Sequence, residues 1–283
     1  MPKVKSKDGI TLNYDIHDYT DPWKDAPILV LQHGNGRSSR FWFSLLPYLT
    51  RNFKVVCPDL RGLGLSSADF DLERGITREN YISDLLCILD DLGASTVHYA
   101  GESLGGIIGL MAAALHPERI RTLCVMSSPP YQLHDTSTAL SFGYSSAAEA
   151  LAKMGVAAWS KGVNSANRFP PDTDTGLQEW YAAEMGKNKV ESLIATQRVL
   201  GNAEARDTRP FLPRIKAPVL GLYSSGAPTV TPEMERVMLD LVPTMRIVHV
   251  PVKGHMIWMV EPAACAAHML HFMSLHDGTF CHQ

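Results

Sequence analysis

The 283-residue chain carries 26 Lys and Arg against 29 Asp and Glu, a net charge of −3, with 45% hydrophobic and 19% charged residues. That is ample apolar material for a large packed core, which argues against disorder. The scattered basic residues offer no face to nucleic acid or to an anionic membrane.

No apolar run approaches the ~18 residues of a membrane span, and the opening MPKVKSKDGI lacks the apolar stretch of a signal peptide. The expected location is cytoplasmic. Five cysteines (Cys57, Cys87, Cys124, Cys265, Cys281) are odd in number, widely spaced and without a C-x-x-C pair. Neither a disulfide framework nor a zinc site is expected, and Cys57 and Cys124 read as small hydrophobes in buried strands. The length suits one large α/β domain with a small inserted subdomain.

In chain order, residues 3–16 alternate polar and apolar around an Asp8-Gly9 turn, which predicts an antiparallel hairpin. Short, nearly all-apolar runs follow at 27–32, 54–58, 96–100, 122–126, 217–223 and 246–250, the pattern of strands buried on both faces. Helical periodicity lies between several of them, at 41–50, 78–92, 104–116, 233–242 and 261–274. Strands alternating with helices predict a parallel sheet covered on both sides, edged by the opening hairpin. The rhythm breaks once. About 90 residues separate the strand ending near Met126 from the one starting near Pro218, far more than an ordinary connection. Helix-like segments there carry Met154, Trp159, Phe169, Trp180, Tyr181 and Met185, with a loop at 163–176. The expected organisation is a core of residues 1–130 and 206–283 with a helical lid at 131–205.

Gly101-Glu102-Ser103-Leu104-Gly105-Gly106 closes a buried strand and opens a small-residue helix. In that context G-x-S-x-G has a mechanical reason: the serine occupies a sharp strained turn, and the glycines let strand and helix approach closely. Ser103 is the expected nucleophile. The Leu104 N–H, at a helix N-terminus, is one expected oxyanion donor. The other is the Asn35 N–H in His33-Gly34-Asn35-Gly36, which follows an earlier strand. A plain Gly-Ser turn and a plain flexible HGNG turn are the bland alternatives, the first disfavoured by its flanking strand and helix, the second by its order relative to Ser103. Among eleven histidines, only His255 combines a loop after the last strand with a preceding glycine, and it is the expected base. His98, His116, His268 and His271 read as structural.

These motifs, with the Asp59-Leu60-Arg61-Gly62-Leu63-Gly64-Leu65-Ser66 turn and the GH…EPAACA ending, resemble the α/β-hydrolase superfamily, and within it the 3-oxoadipate enol-lactonases and related esterases. The resemblance spans nearly the whole chain. It implies an eight-stranded, mostly parallel sheet flanked by helices, a helical lid inserted after strand 6, no cofactor, no metal, and a serine–histidine–acid triad. Where the family places its acid after the strand at 217–223, this chain has Ala227. Where zearalenone lactonases place one after the strand at 122–126, it has Ser127. The third member therefore stays open: a carboxylate from elsewhere (Asp207, Glu233 or Asp135), or a Ser–His dyad whose histidine is oriented by water or by Ser127 or Ser225.

Asp59 and Arg61 read as turn-formers. Glu102 is not expected to serve as the acid, because neighbouring side chains on an elbow diverge. Trp159, Trp180, Tyr181 and Trp258, with Phe41 and Trp42, either line an apolar pocket or pack the lid on the core. The expected partner is a small hydrophobic ester or lactone, with homodimerisation left open. Two rivals remain: a lyase, cyclase or isomerase on the same scaffold, and a ligand-binding receptor.

Overall fold

A computed structural model describes residues 2–131, 140–201, 207–225 and 229–277, with backbone alone at 199–201. Eight strands, β1 (Lys3–Lys5), β2 (Thr11–His17), β3 (Ile28–Gln32), β4 (Lys54–Pro58), β5 (Val97–Glu102), β6 (Ile120–Met126), β7 (Val219–Ser224) and β8 (Met245–Val250), form one sheet in the order β1-β2-β4-β3-β5-β6-β7-β8. From β4 to β8 neighbouring strands run parallel, whereas β1–β2 and β2–β4 are antiparallel. The opening hairpin is therefore the antiparallel edge. Gly9, at φ 84°, makes its turn, closed by Ser6 N donating to Ile10 O at 2.9 Å.

The helices are α1 (Leu46–Leu49), α2 (Leu72–Gly75), α3 (Arg78–Asp91), α4 (Leu104–Leu115), α5 (Ala147–Met154), α6 (Val156–Val163), α7 (Thr175–Met185), α8 (Val190–Gly201), α9 (Pro232–Leu241), α10 (Ile257–Val260) and α11 (Pro262–Asp277). None of the described helices is long and apolar enough to cross a membrane. One helix was expected over 41–50; instead a 3₁₀ turn, Ser39–Trp42, precedes the four-residue α1. Pro47 supplies the reason, since proline is tolerated only in a helix's first turn and starts a new one here. The loop expected at 163–176 also begins differently, with a π-helical turn at Asn164–Arg168.

Strand side chains alternate between two apolar layers. Leu29, Leu31, Val55, Cys57 and Ala100 enter one, and Val30, Val56, Val97 and Tyr99 the other. Covering both faces is what the all-apolar runs require. Of the cysteines, Cys57, Cys87, Cys124 and Cys265 are free thiols, and Cys281 lies outside the described residues.

Register brings the strand ends together. Gln32 pairs with Gly101, Glu102 with Met126, Met126 with Leu222, and Ser224 with Val250. The loops after β3, β5, β6, β7 and β8 thus share one edge of the sheet, where open α/β sheets hold ligands. Helices α5 to α8 intervene between β6 and β7. The chain leaves and re-enters at a closed neck, where Thr208 N and Oγ1 donate to Pro130 O at 2.9 and 2.8 Å.

Candidate active site at the carboxyl edge of the sheet

Ser103 occupies the turn between β5 and α4 with φ 52° and ψ −117°, a conformation that costs a non-glycine residue on the order of 1–3 kcal/mol. The glycines around it explain how the turn persists. A side chain on Gly101 would strike the Gly105 carbonyl, one on Gly105 would strike the Gln32 carbonyl, and one on Gly106 would overlap the Ser128 hydroxyl. Helix α4, buried almost from end to end, is thereby pressed against β3 and β5. Ser103 N is tied to Met126 O at 3.0 Å, and the side chain stays partly accessible. Leu104 is the first residue of α4, so its N–H sits at the positive end of a 12-residue helix.

The loop after β3 is held from within. Gly34 N donates to Glu102 Oε1, and Arg37 N closes the turn on Gly34 O at 3.4 Å. Asn35 lies between them, half-buried, and Gly36 at φ 73° packs under Met185 of α7. His33 is scaffold. Its Nε2 accepts from Leu60 N at 3.1 Å, so Nδ1 carries the proton donated to Gly34 O at 2.8 Å. Burial drives its pKa down to about 4. Asp59 likewise serves the turn, accepting from Ser39 N, Leu65 N and Asn13 Nδ2, and Arg61 pairs with Asp84 and Asp8.

His255 follows β8, 8% exposed, and its imidazole lies against the elbow, with Nε2 4.0 Å from Glu102 Oε2. Its loop is clamped on two sides. His255 N donates to Arg168 O at 3.0 Å, and His255 O accepts from Ser127 Oγ at 2.9 Å. Gly254, at φ 103°, is obligatory, because a Cβ there would come 2.6 Å from Arg168 O. Thr229 Oγ1 stands 3.2 Å from His255 Nδ1. Burial, then the charges of Arg37 and Arg168, hold this imidazole well below the usual 6.5.

The hydroxyl found at Nδ1 belongs to Thr229, two residues past Ala227 and not among the groups weighed for the third position. Ser127 serves the His255 backbone instead of its ring. Ser225 is exposed. Asp207 is paired with Arg209 at 2.6 Å, and Glu233 is an exposed residue in the first turn of α9. Asp135 and Ala227 lie outside the described residues. Among the described residues, no three His, Cys, Asp or Glu side chains group as metal ligands would.

Glu102 is fully buried and bound by Arg37 through Nε and, at 2.5 Å, through Nη2, while Arg37 Nη1 donates to Tyr181 OH at 2.8 Å. One ion pair therefore links the elbow, the loop after β3 and α7. Of the aromatic residues named from sequence, Trp258 packs on Trp42, with ring centroids 5.5 Å apart, inside the core. Trp180 instead lines a groove of about 560 Å³ bounded by Asp15, Ser39, Phe43 and Leu177. Trp159 and Tyr181 flank the Arg168 guanidinium, at 5.6 and 4.9 Å. Sequence reasoning missed Arg37, Arg168 and Thr229. Arg37 was visible beside HGNG, but a lone arginine there carries no signal without its carboxylate.

The protein is 38% identical over 112 residues to "Putative carbamate hydrolase RutD" of Stutzerimonas stutzeri (strain A1501), a match covering 40% of this chain and 41% of the relative. It is 38% identical over 109 residues to strigolactone esterase D14 of Arabidopsis thaliana, covering 38% and 41%. The chain thus spans about two fifths of the length of these curated relatives. An enol-lactonase from Burkholderia xenovorans LB400 superposes with a TM-score of 0.84 over 96% of this chain and 100% of its own, at 21% identity. The sequence signature of the alpha/beta hydrolase fold matches residues 27–262, and the chain belongs to that family.

Proposed function

We propose that the protein is a serine hydrolase that opens a carboxylic ester or lactone through an acyl-enzyme on Ser103. The observation that carries this reading is the strained Ser103 turn with the neutral His255 imidazole against it. Nδ1–H donates to Thr229 Oγ1, which leaves the Nε2 lone pair to take the Ser103 proton as Oγ bonds the carbonyl carbon. The Asn35 and Leu104 amides receive the oxyanion. Collapse breaks the acyl–oxygen bond, and Nε2 returns the proton to the departing oxygen. Water, deprotonated by the same nitrogen, then releases the acid. In a lactone, acid and alcohol leave as one ring-opened molecule.

A threonine orients His255 without stabilising an imidazolium, as a carboxylate would. Loss of that carboxylate costs about 10⁴ in turnover where a full triad is in use. Esters with good leaving groups, such as aryl and enol esters or strained lactones, tolerate this best, because little proton transfer is needed to expel them. The names of the relatives, carbamate hydrolase, esterase and enol-lactonase, all describe hydrolysis at an acyl carbon. Residues 131–205 act as the cap over this site, a role supported by the closed neck and by the Tyr181 and Arg168 contacts to the catalytic loops.

Steady-state turnover of p-nitrophenyl esters tests the reading, with an acid limb expected below pH 6.5. That limb follows from a base held below its ordinary pKa, which stays deprotonated further into acid. Wild-type protein that turned over no ester or lactone, or a Ser103→Ala variant that retained wild-type turnover, would overturn it.

A further inference from the structure

The groove beside Trp180 shares no residue with the candidate catalytic set: none of Ser103, Asn35, Leu104, Thr229 and His255 lines it. Asp15 and His17 reach it from one face of β2, being two residues apart on a strand. Ser39, Arg40 and Phe43 come from the 3₁₀ turn and the residue after it, and Trp180 from α7. At about 560 Å³ it falls within the ~300–1,000 Å³ of small-molecule sites.

One side of the groove is aromatic. Trp180 meets Phe43 edge-on with ring centroids 4.9 Å apart, and Phe41 backs it at 5.2 Å. The other side is acidic. Ser39 N donates to Asp59 Oδ1 at 2.7 Å while the Ser39 hydroxyl donates to Asp15 Oδ2 at 2.8 Å, so two carboxylates meet at one lining serine. Among the described residues no Lys or Arg pairs with either, and the imidazole 3.9 Å from Asp59 belongs to the neutral His33. Asp15 Oδ1 is buried and accepts from no described group. Arg40 does not supply the missing charge, for its side chain is 61% exposed and pairs with Glu184 at 3.4 Å.

A carboxylate without a cation favours a ligand that brings one, and indole and phenyl faces attract the same charge. A neutral ligand would gain the apolar burial alone, and an anion would meet repulsion. We infer that this groove is a second binding site, which takes an organic ammonium with an apolar body. The charge lies toward Asp15 and the body against Phe43 and Trp180. The site is independent of what Ser103 does.

Calorimetric titration of the wild-type protein at neutral pH with phenethylamine, phenethyl alcohol and hydrocinnamate tests it. These probes share a ring and spacer and differ in charge. The ammonium is expected to bind at least about tenfold more tightly than the alcohol, and the carboxylate more weakly than either. Asp15→Asn should bring ammonium and alcohol to within about twofold of each other, and Trp180→Leu should weaken the ammonium about fivefold or more. Equal binding of ammonium and alcohol by wild type, a result that needs no variant, overturns the site. So does the absence of any ammonium binding, or a preference that survives unchanged in Asp15→Asn.

Discussion

Two buried arginine clusters in this molecule differ in what they leave unfinished. Around Arg61, 1% exposed at the turn after β4, Asp84 and Asp8 supply two carboxylates for one guanidinium, and Gly75 O takes a further N–H. Around Glu102, one carboxylate serves Arg37, while among the described residues Arg168 has none. Two of the three buried histidines among the described residues divide in the same way. His33 has both ring nitrogens engaged by backbone, whereas among the described residues His255 has a hydrogen-bonding partner at Nδ1 alone. Saturated polar groups build the scaffold, and under the proposed function the unsaturated ones at the sheet edge are where a substrate binds.

The largest effects should separate the clusters by stability. Arg61→Met strands Asp84 and Arg37→Met strands Glu102, so each is expected to lose about 3–5 kcal/mol in urea unfolding. Arg168→Met strands no carboxylate and should lose only about 1–2 kcal/mol, the cost of unsatisfying Asn164. Equal losses at Arg168 and Arg37 would erase the distinction. Next comes His33. Its folded pKa of about 4 lies below the ordinary 6.5, so the unfolded chain binds the proton first as pH falls. Stability should drop by about 3 kcal/mol between pH 6.5 and 4 from this group, at 1.36 kcal/mol per unit. A His33→Asn variant should show a correspondingly flatter acid slope.

Smaller effects probe the site itself. Gly106→Ala must push the Ser128 hydroxyl aside, and about 1–3 kcal/mol of destabilisation is expected from the overpacking. Thr229→Ala should cut kcat about tenfold, the worth of one hydrogen bond that fixes the imidazole, with little change in stability. Thr229→Asp places a carboxylate at Nδ1 and should move the acid limb of the pH profile upward, against the charges of Arg37 and Arg168 that now depress it. A limb that moved downward would mean that residue 229 does not face the base.

The elbow was legible in sequence because its reasons are local. A buried strand, three glycines and a small-residue helix demand the close approach that Gly105 and Gly106 permit. Burial of the strands on both faces was legible for the same reason, as a nearly all-apolar run leaves neither face to water. Thr229, Arg37 and Arg168 were not, since their meaning lies in partners 26, 65 and more residues away. The single helix expected at 41–50 failed because a periodic apolar face outweighed Pro47, which divides it.

The account turns on Ser103 acting as a nucleophile activated by His255. Treating the protein with a fluorophosphonate and mapping the adduct by mass spectrometry tests that directly. A single adduct on Ser103 is expected, absent in Ser103→Ala and formed at least about a hundredfold more slowly in His255→Gln. An adduct on another residue, or labelling of Ser103 at an unchanged rate without His255, would contradict it.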